Sequence, residues 1–209
     1  MFPKLISFGP DFFLPTYGLL VALGFFIALQ VVIRLGKQSG LDPEKVTNLA
    51  IYCALSGLIG AKLAMFAFDF QLYWQHPEEI FTMATLQAAG VFQGGLVLAT
   101  IFAFWYMRRN KMPILTTTDA FAPGIAIGHA IGRLGCFAAG CCWGDVCDKP
   151  WAVTFRNPDA YRLVGVPLNI PLHPTQLYEA ATEALLFAFL WWRSKSPHRP
   201  GEILGLYLV

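Results

Sequence analysis

The chain has 209 residues, 56% of them hydrophobic and only 13% Asp, Glu, Lys or Arg, with a formal net charge of +2. A soluble domain carries about 25% charged residues, so this composition excludes a water-soluble globular protein. The expected class is an all-α, polytopic integral membrane helical bundle, with membrane lipid as its surroundings and no nucleic-acid partner.

Residues 14–33 form an uncharged run long enough to cross a hydrocarbon core about 30 Å thick. The run is longer than a cleavable signal core and has no basic flank beyond Lys4, so it is expected to stay as the first span. The second run, 46–68, is broken only by Lys62. The third, 88–107, is uncharged, and the fourth, 112–131, has Asp119 near its start. The fifth, 177–192, contains Glu179 and Glu183, and a sixth begins at Ile203. At 1.5 Å per residue the stretch from Ile203 to Val209 covers only about 10 Å, so the final span is expected to be incomplete or missing. One transmembrane domain over 1–209 with about six spans follows.

Charge placement orients it. Arg34, Lys37 and Lys45 follow the first run, Arg108, Arg109 and Lys111 the third, and Arg193, Lys195 and Arg199 the fifth. The loop 69–87 carries Asp69, Glu78 and Glu79 but no Lys or Arg. Short basic loops stay in the cytoplasm, so the N-terminus is expected outside. The loop at about 140–174 is then external, with Lys149, Arg156 and Arg162 as a patch for anionic head groups. In it, Trp151-Ala-Val-Thr-Phe155 reads as a short element and Asn157-Pro158-Asp159 as a turn, while Pro167 and Pro171 argue against a helix.

Charged residues inside spans mark either function or a buried pair; here they are Lys62, Asp119, His129, Arg133, Glu179 and Glu183. For each, packing polarity is the competing explanation: Lys62 can snorkel, and Glu183 can pair with it or with another span. Arg133 stands among glycines at 128, 132, 135, 140 and 144, which allow close approach. Its planar fork of donors suits a phosphate. In His173-Pro-Thr-Gln-Leu-Tyr-Glu179 a helix starts near Pro174 or Thr175, with Thr175 or Gln176 available to an exposed N–H and Tyr178 and Glu179 facing the bundle. The alternative there is a plain helix cap and an interface tyrosine. Gln93, Gly94 and Gly95 suggest a pocket wall, and Tyr17 offers a phenol at the same depth. Cys136, Cys141, Cys142 and Cys147 cluster, with Cys53 apart. The adjacent pair 141–142 is poor zinc geometry; a disulfide such as Cys142 to Cys147, free thiols and a metal all stay open.

These strings carry a resemblance to the bacterial prolipoprotein diacylglyceryl transferase family. Tyr17-Gly-Leu19 is similar to its early motif, Gly132-Arg-Leu-Gly-Cys-Phe-Ala-Ala-Gly-Cys-Cys-Trp-Gly144 to its signature, and His173-Pro-Thr-Gln-Leu-Tyr-Glu179 to its later motif. The similarity runs from Tyr17 to Val209. It implies seven spans in the complete fold and a site at the outer face of the bacterial inner membrane. It implies transfer of the diacylglyceryl group of phosphatidylglycerol to the lipobox cysteine of a prolipoprotein signal peptide. The products are a thioether and glycerol phosphate, and no metal or organic cofactor takes part. Arg133 matches the essential signature arginine and would hold the lipid phosphate. Tyr17, Gly140 and Gly144 match functional positions. Gln93 and Glu179 join Arg133 and Tyr17 as expected catalytic residues. Gly94, Gly95, Gly140, Gly144, His173, Gln176 and Tyr178 join Arg133 in substrate binding. The chain departs from the family at Gln93, where a histidine often stands, at Cys136 for the usual asparagine and at Cys141 for the usual glutamate. A further family arginine belongs to a span beyond Val209. Gln93 cannot take a proton from a thiol, so either Glu179 or Tyr178 is expected to help or the thiol ionises by itself near Arg133. The alternatives are a relative using the same lipid with another acceptor, or a non-catalytic lipid-binding membrane protein.

Overall fold

The computed structural model describes residues 2–7, 13–82, 85, 88 and 90–209. Strand β1 (Lys4–Ser7) pairs antiparallel with β2 (Phe13–Pro15), and α1 (Thr16–Gln38) follows directly. Helix α2 (Pro43–Phe68) opens with Pro43 in its first turn and with the Asp42 carboxylate accepting the Glu44 N–H at 2.9 Å. That side chain satisfies a donor the helix itself leaves bare. A short α3 (Phe70–Gln75) and a 3-10 turn (Pro77–Phe81) fill the start of the acidic loop. Residues 83, 84, 86 and 87 of that loop lie outside the described residues. Then come α4 (Phe92–Arg109), α5 (Ile114–Ala139), β3 (Val153–Thr154), α6 (Pro158–Val164), β4 (Pro171–Leu172), α7 (Thr175–Arg193) and α8 (Glu202–Leu208).

Helices α1, α2 and α5 are long and apolar enough to cross a membrane. The chain is an all-α membrane protein, with apolar side chains such as Phe26, Leu58, Leu63 and Trp105 on its exposed surface. Helices α1 and α5 run past the apolar stretches that mark them in the sequence, to Gln38 and Ala139. Helical hydrogen bonding continues where hydropathy falls, so Arg133 and Cys136 lie within α5.

The chain packs as two units, Met1–Ser39 with Thr118–Val209, and Gly40–Thr117. In the first, α1 and α5 meet through small residues: a Cβ on Gly24 would stand 3.1 Å from the Gly128 carbonyl oxygen. Ala122, Leu190 and Ile203 form a buried contact of α5, α7 and α8. The Asp119 carboxylate, 4% exposed, accepts the Gly201 N–H at 2.7 Å and the Leu204 N–H at 2.9 Å. It therefore caps α8 from another helix. The segment 140–174 has its own small core of Phe155, Ala160, Val166 and Leu172. It contains a helix where a turn was expected. Asn157 accepts the Asp159 N–H at 2.9 Å, Pro158 takes the first helical position, and Gly165 at φ 72° ends the helix before Pro167.

In the second unit α2 and α4 touch backbone to backbone. A Cβ on Gly95 would stand 2.8 Å from the Gly57 carbonyl oxygen, and Gly60 and Gly94 leave no room for any side chain. Gly90, at φ +78°, lies against Ala61, whose carbonyl accepts the Val91 N–H at 3.0 Å. Lys62 bonds the carbonyls of Thr85 at 2.5 Å and Ala88 at 2.6 Å. The sequence left its partner open, and that partner is loop backbone of its own unit.

Candidate active site

Arg133 lies in the last two turns of α5, its side chain 24% exposed. One terminal nitrogen meets Glu179 Oε2 on α7 at 2.5 Å. Its Nε is buried and has no partner among the described residues. A buried guanidinium donor left unbonded is costly unless something accepts from it. Beside it, Gly132 has open space where a side chain would project. Four residues earlier on α5, His129 Nδ1 lies 2.9 Å from Glu183 Oε1, and Glu183 is four residues after Glu179 on α7. Positions four apart share a helix face, so the two helices carry two polar rungs, Arg133–Glu179 and His129–Glu183. In the sequence His129 stands only as a charge within a span and Glu183 as one that can pair with Lys62 or with another span; the partner is His129. The signal that pairs them is the matched spacing from Arg133 and from Glu179.

The Cys136–Cys142 turn folds back over the end of α5. Gly140, at φ +84°, and Cys142, at φ +59°, turn the chain, and the N–H groups of Gly140 and Cys141 both bond the Cys136 carbonyl, at 2.9 and 3.1 Å. Helix α7 holds this turn from the side: Thr175 Oγ1 donates to the Cys142 carbonyl at 2.6 Å and Gln176 Nε2 to that of Cys141 at 2.5 Å. The sequence assigned these two side chains to the helix start, but α7 has no side-chain cap bond there; carbonyls of the cysteine turn take them. Gly144 donates its N–H to the His173 carbonyl at 3.0 Å, and a Cβ there would stand 2.8 Å from Thr175. Gly140 packs on Phe155 and Ala160, where a Cβ would stand 3.2 Å from each.

All five cysteines are free thiols, Cys147 included, so the Cys142–Cys147 bridge does not form in this structure. The sulfurs of Cys136, Cys141 and Cys142 lie within 4.8 Å of one another, a donor set that could hold a metal ion. The Cys141 thiol, beyond the end of α5, is pushed up from its ordinary range, first by its hydrogen bond to Cys136 and then by burial. A thiol shifted that way is a poor nucleophile. Tyr17, in the first turn of α1, packs its ring against Gly135, and Arg133 and the three thiols lie near it. Tyr178 accepts a bond from Trp151 Nε1 at 2.8 Å and shares another with His173 Nδ1 at 3.0 Å.

The first unit thus gathers Tyr17, Arg133, Gly140, Gly144, His173, Gln176, Tyr178 and Glu179 around the end of α5 and the start of α7. Gln93, Gly94 and Gly95 belong to the second unit, where Gln93 is exposed in the first turn of α4 and both glycines pack on α2. Chemically, the first unit offers an arginine fork for an anion and two carboxylates, Glu179 on Arg133 and Glu183 on His129, that orient basic side chains.

The sequence matches the family described as Prolipoprotein diacylglyceryl transferase over residues 3–209. Three relatives are named phosphatidylglycerol--prolipoprotein diacylglyceryl transferase. The one from Clostridium tetani is 31% identical over 193 residues, 92% of this chain and 74% of the relative. That from Vibrio parahaemolyticus is 35% identical over 211 residues, 99% of this chain and 73% of the relative. That from Ruegeria pomeroyi is 33% identical over 223 residues, 99% and 75% of the two. With the match running through the arginine-bearing signature and the motif that holds it, this chain belongs to the prolipoprotein diacylglyceryl transferase family.

Proposed function

We propose that the chain transfers the diacylglyceryl group of phosphatidylglycerol to the lipobox cysteine thiol of a prolipoprotein, releasing glycerol phosphate. The observation that carries this reading is Arg133: a guanidinium at the end of a membrane helix, oriented by Glu179, with a buried Nε that lacks a partner among the described residues. A phosphodiester oxygen is the acceptor such a fork fits. As the carbon–oxygen bond breaks, charge grows on the departing phosphate, and a fixed donor there lowers the barrier. Gly144 holds the cysteine turn close to α7 while Gly140 seats it on Phe155 and Ala160, and Gln176, Tyr178 and His173 shape the rim where the head group enters. Tyr17 lines the same group from α1.

The chain works in the bacterial inner membrane as one multi-pass domain, with its N-terminus and residues 140–174 on the outer side. The basic residues after α1, α4 and α7 support this orientation. The test of function is mass spectrometry of a lipobox peptide incubated with phosphatidylglycerol and the full-length protein in detergent. The expected result is a peptide heavier by one diacylglyceryl group, with one glycerol phosphate released. An unmodified peptide beside an intact, lipid-binding protein overturns the reading. Transfer to water or to a different thiol instead identifies the related enzyme with another acceptor.

A further inference from the structure

An attack on carbon by the acceptor requires that its thiol lose a proton. Neither residue expected to help is placed to accept one freely: Glu179 is engaged with Arg133, and Tyr178 bonds Trp151 and His173. Gln93 has no basic atom. We propose that His129, oriented by Glu183, is the general base that activates the acceptor thiol. This rests on the transfer reaction above.

The geometry has four parts. The Glu183 carboxylate holds Nδ1 of His129 at 2.9 Å. A carboxylate only accepts, so Nδ1 carries the hydrogen and Nε2 presents its lone pair. Nε2 has no partner among the described residues, and the His129 side chain is 43% exposed, so a thiol can reach it. The second Glu183 oxygen is buried and unbonded among the described residues. It can accept a further bond as the imidazole gains charge. The last part is spacing. His129 and Arg133 share one face of α5 a turn apart, roughly 5–6 Å between their Cβ atoms. An in-line displacement puts the attacking sulfur about 3–3.5 Å from the carbon, and one carbon–oxygen bond further lies the phosphate oxygen. The two side chains therefore stand side by side on one helix face, a spacing of the same order as that line. With the head group held at Arg133 near the membrane face, the rear of its glyceryl carbon faces inward, toward His129.

The step balances. Nε2 of His129 takes the thiol proton while the sulfur forms a bond to the glyceryl carbon. The carbon–oxygen bond breaks with its electron pair on the phosphate oxygen, which leaves as glycerol phosphate beside Arg133. The proton then passes from His129 to water. The nearby ionisable groups are Arg133 on the same helix, Glu179 and Glu183 on α7, Tyr207 on α8, Tyr17 on α1 and, around Arg133 and Tyr17, the thiols of Cys136, Cys141 and Cys142.

The test compares His129→Gln and Glu183→Gln with the unaltered full-length protein in phosphatidylglycerol-containing detergent. Two lipobox peptides serve as acceptors, one with cysteine and one with selenocysteine, whose selenol is already ionised at neutral pH. A general base contributes about 10²–10⁴-fold. On the cysteine peptide His129→Gln should lose at least about 10²-fold in turnover, and Glu183→Gln a smaller part of it. On the selenocysteine peptide both should approach the unaltered enzyme, and added imidazole should partly rescue His129→Ala. Equal losses on both peptides would assign the pair a structural role and overturn the proposal. So would full activity of His129→Gln on cysteine. If the unaltered protein modifies neither peptide, the transfer reading itself fails, and the base with it.

Discussion

The two units are held together by opposite means. In Gly40–Thr117 glycine, alanine and bare backbone bring α2 against α4, the ring of Tyr52 packs beside them on Phe102 and Tyr106, and Lys62 is occupied by loop carbonyls. In the unit of residues 1–39 and 118–209, glycines also seat α1 on α5, but α5 and α7 are joined by Arg133–Glu179 and His129–Glu183. Inside a bilayer, close packing gives stability without a polar cost, whereas charged side chains are expensive and are kept where they act. On the proposed function, one unit serves adhesion and the other spends stability on chemistry.

The sharpest way to break that comparison is Arg133→Lys. If the arginine is an oriented clamp, turnover falls by about 10²-fold or more, because lysine keeps the charge but loses the second directed bond. Melting temperature in the same detergent should scarcely move. Near-normal turnover would reduce Arg133 to a partner for Glu179. The converse belongs to the other unit. Gly60→Val forces side-chain atoms into the α4 backbone, and overpacking typically costs about 1–3 kcal/mol. Thermal melting should fall clearly while the rate per folded molecule changes little; an unchanged melting temperature would mean that the α2–α4 contact is looser than drawn.

Asp119→Asn tests whether a charge in the first unit can be purely structural. Asparagine keeps one of the two accepted bonds and turns an amide donor toward the other N–H, and a lost hydrogen bond costs about 1 kcal/mol, so the variant should melt lower with its turnover per folded molecule intact. The smallest effect is expected at Cys142→Ser. Here the attacking thiol belongs to the substrate, so turnover should stay within about twofold, the equivalent of ~0.5 kcal/mol. Abolished turnover in a folded, lipid-bound Cys142→Ser variant would bring a covalent enzyme intermediate back into play.

Much of this was legible in the sequence. Hydropathy located the helical runs, because an apolar stretch of spanning length has few other uses. The glycine-rich string around Arg133 and the string from His173 to Glu179 supply the two sides of the candidate site. Helix ends were less legible: α5 continues to Ala139 through polar residues that hydropathy discounts. Pairing was least legible. Nothing local in the chain says that Lys62 turns to loop carbonyls, that Asp119 caps α8, or that Thr175 and Gln176 bond the cysteine turn rather than their own helix. Those are long-range choices, settled by which helices meet. The i,i+4 match between 129/133 and 179/183 was present in the letters, but it gains meaning only once α5 and α7 are known to be neighbours.

The cap on α8 also sets an order of events during synthesis. Asp119 precedes its partner Gly201 by 82 positions. At about 5–20 residues per second, the ribosome needs roughly 4–16 s to make that stretch. Throughout that interval the carboxylate travels with α5 before the backbone amides it serves exist. A nascent chain halted before Gly201 therefore carries an unsatisfied acid in its fourth long helix, a mark by which quality control could tell an unfinished protein from a finished one.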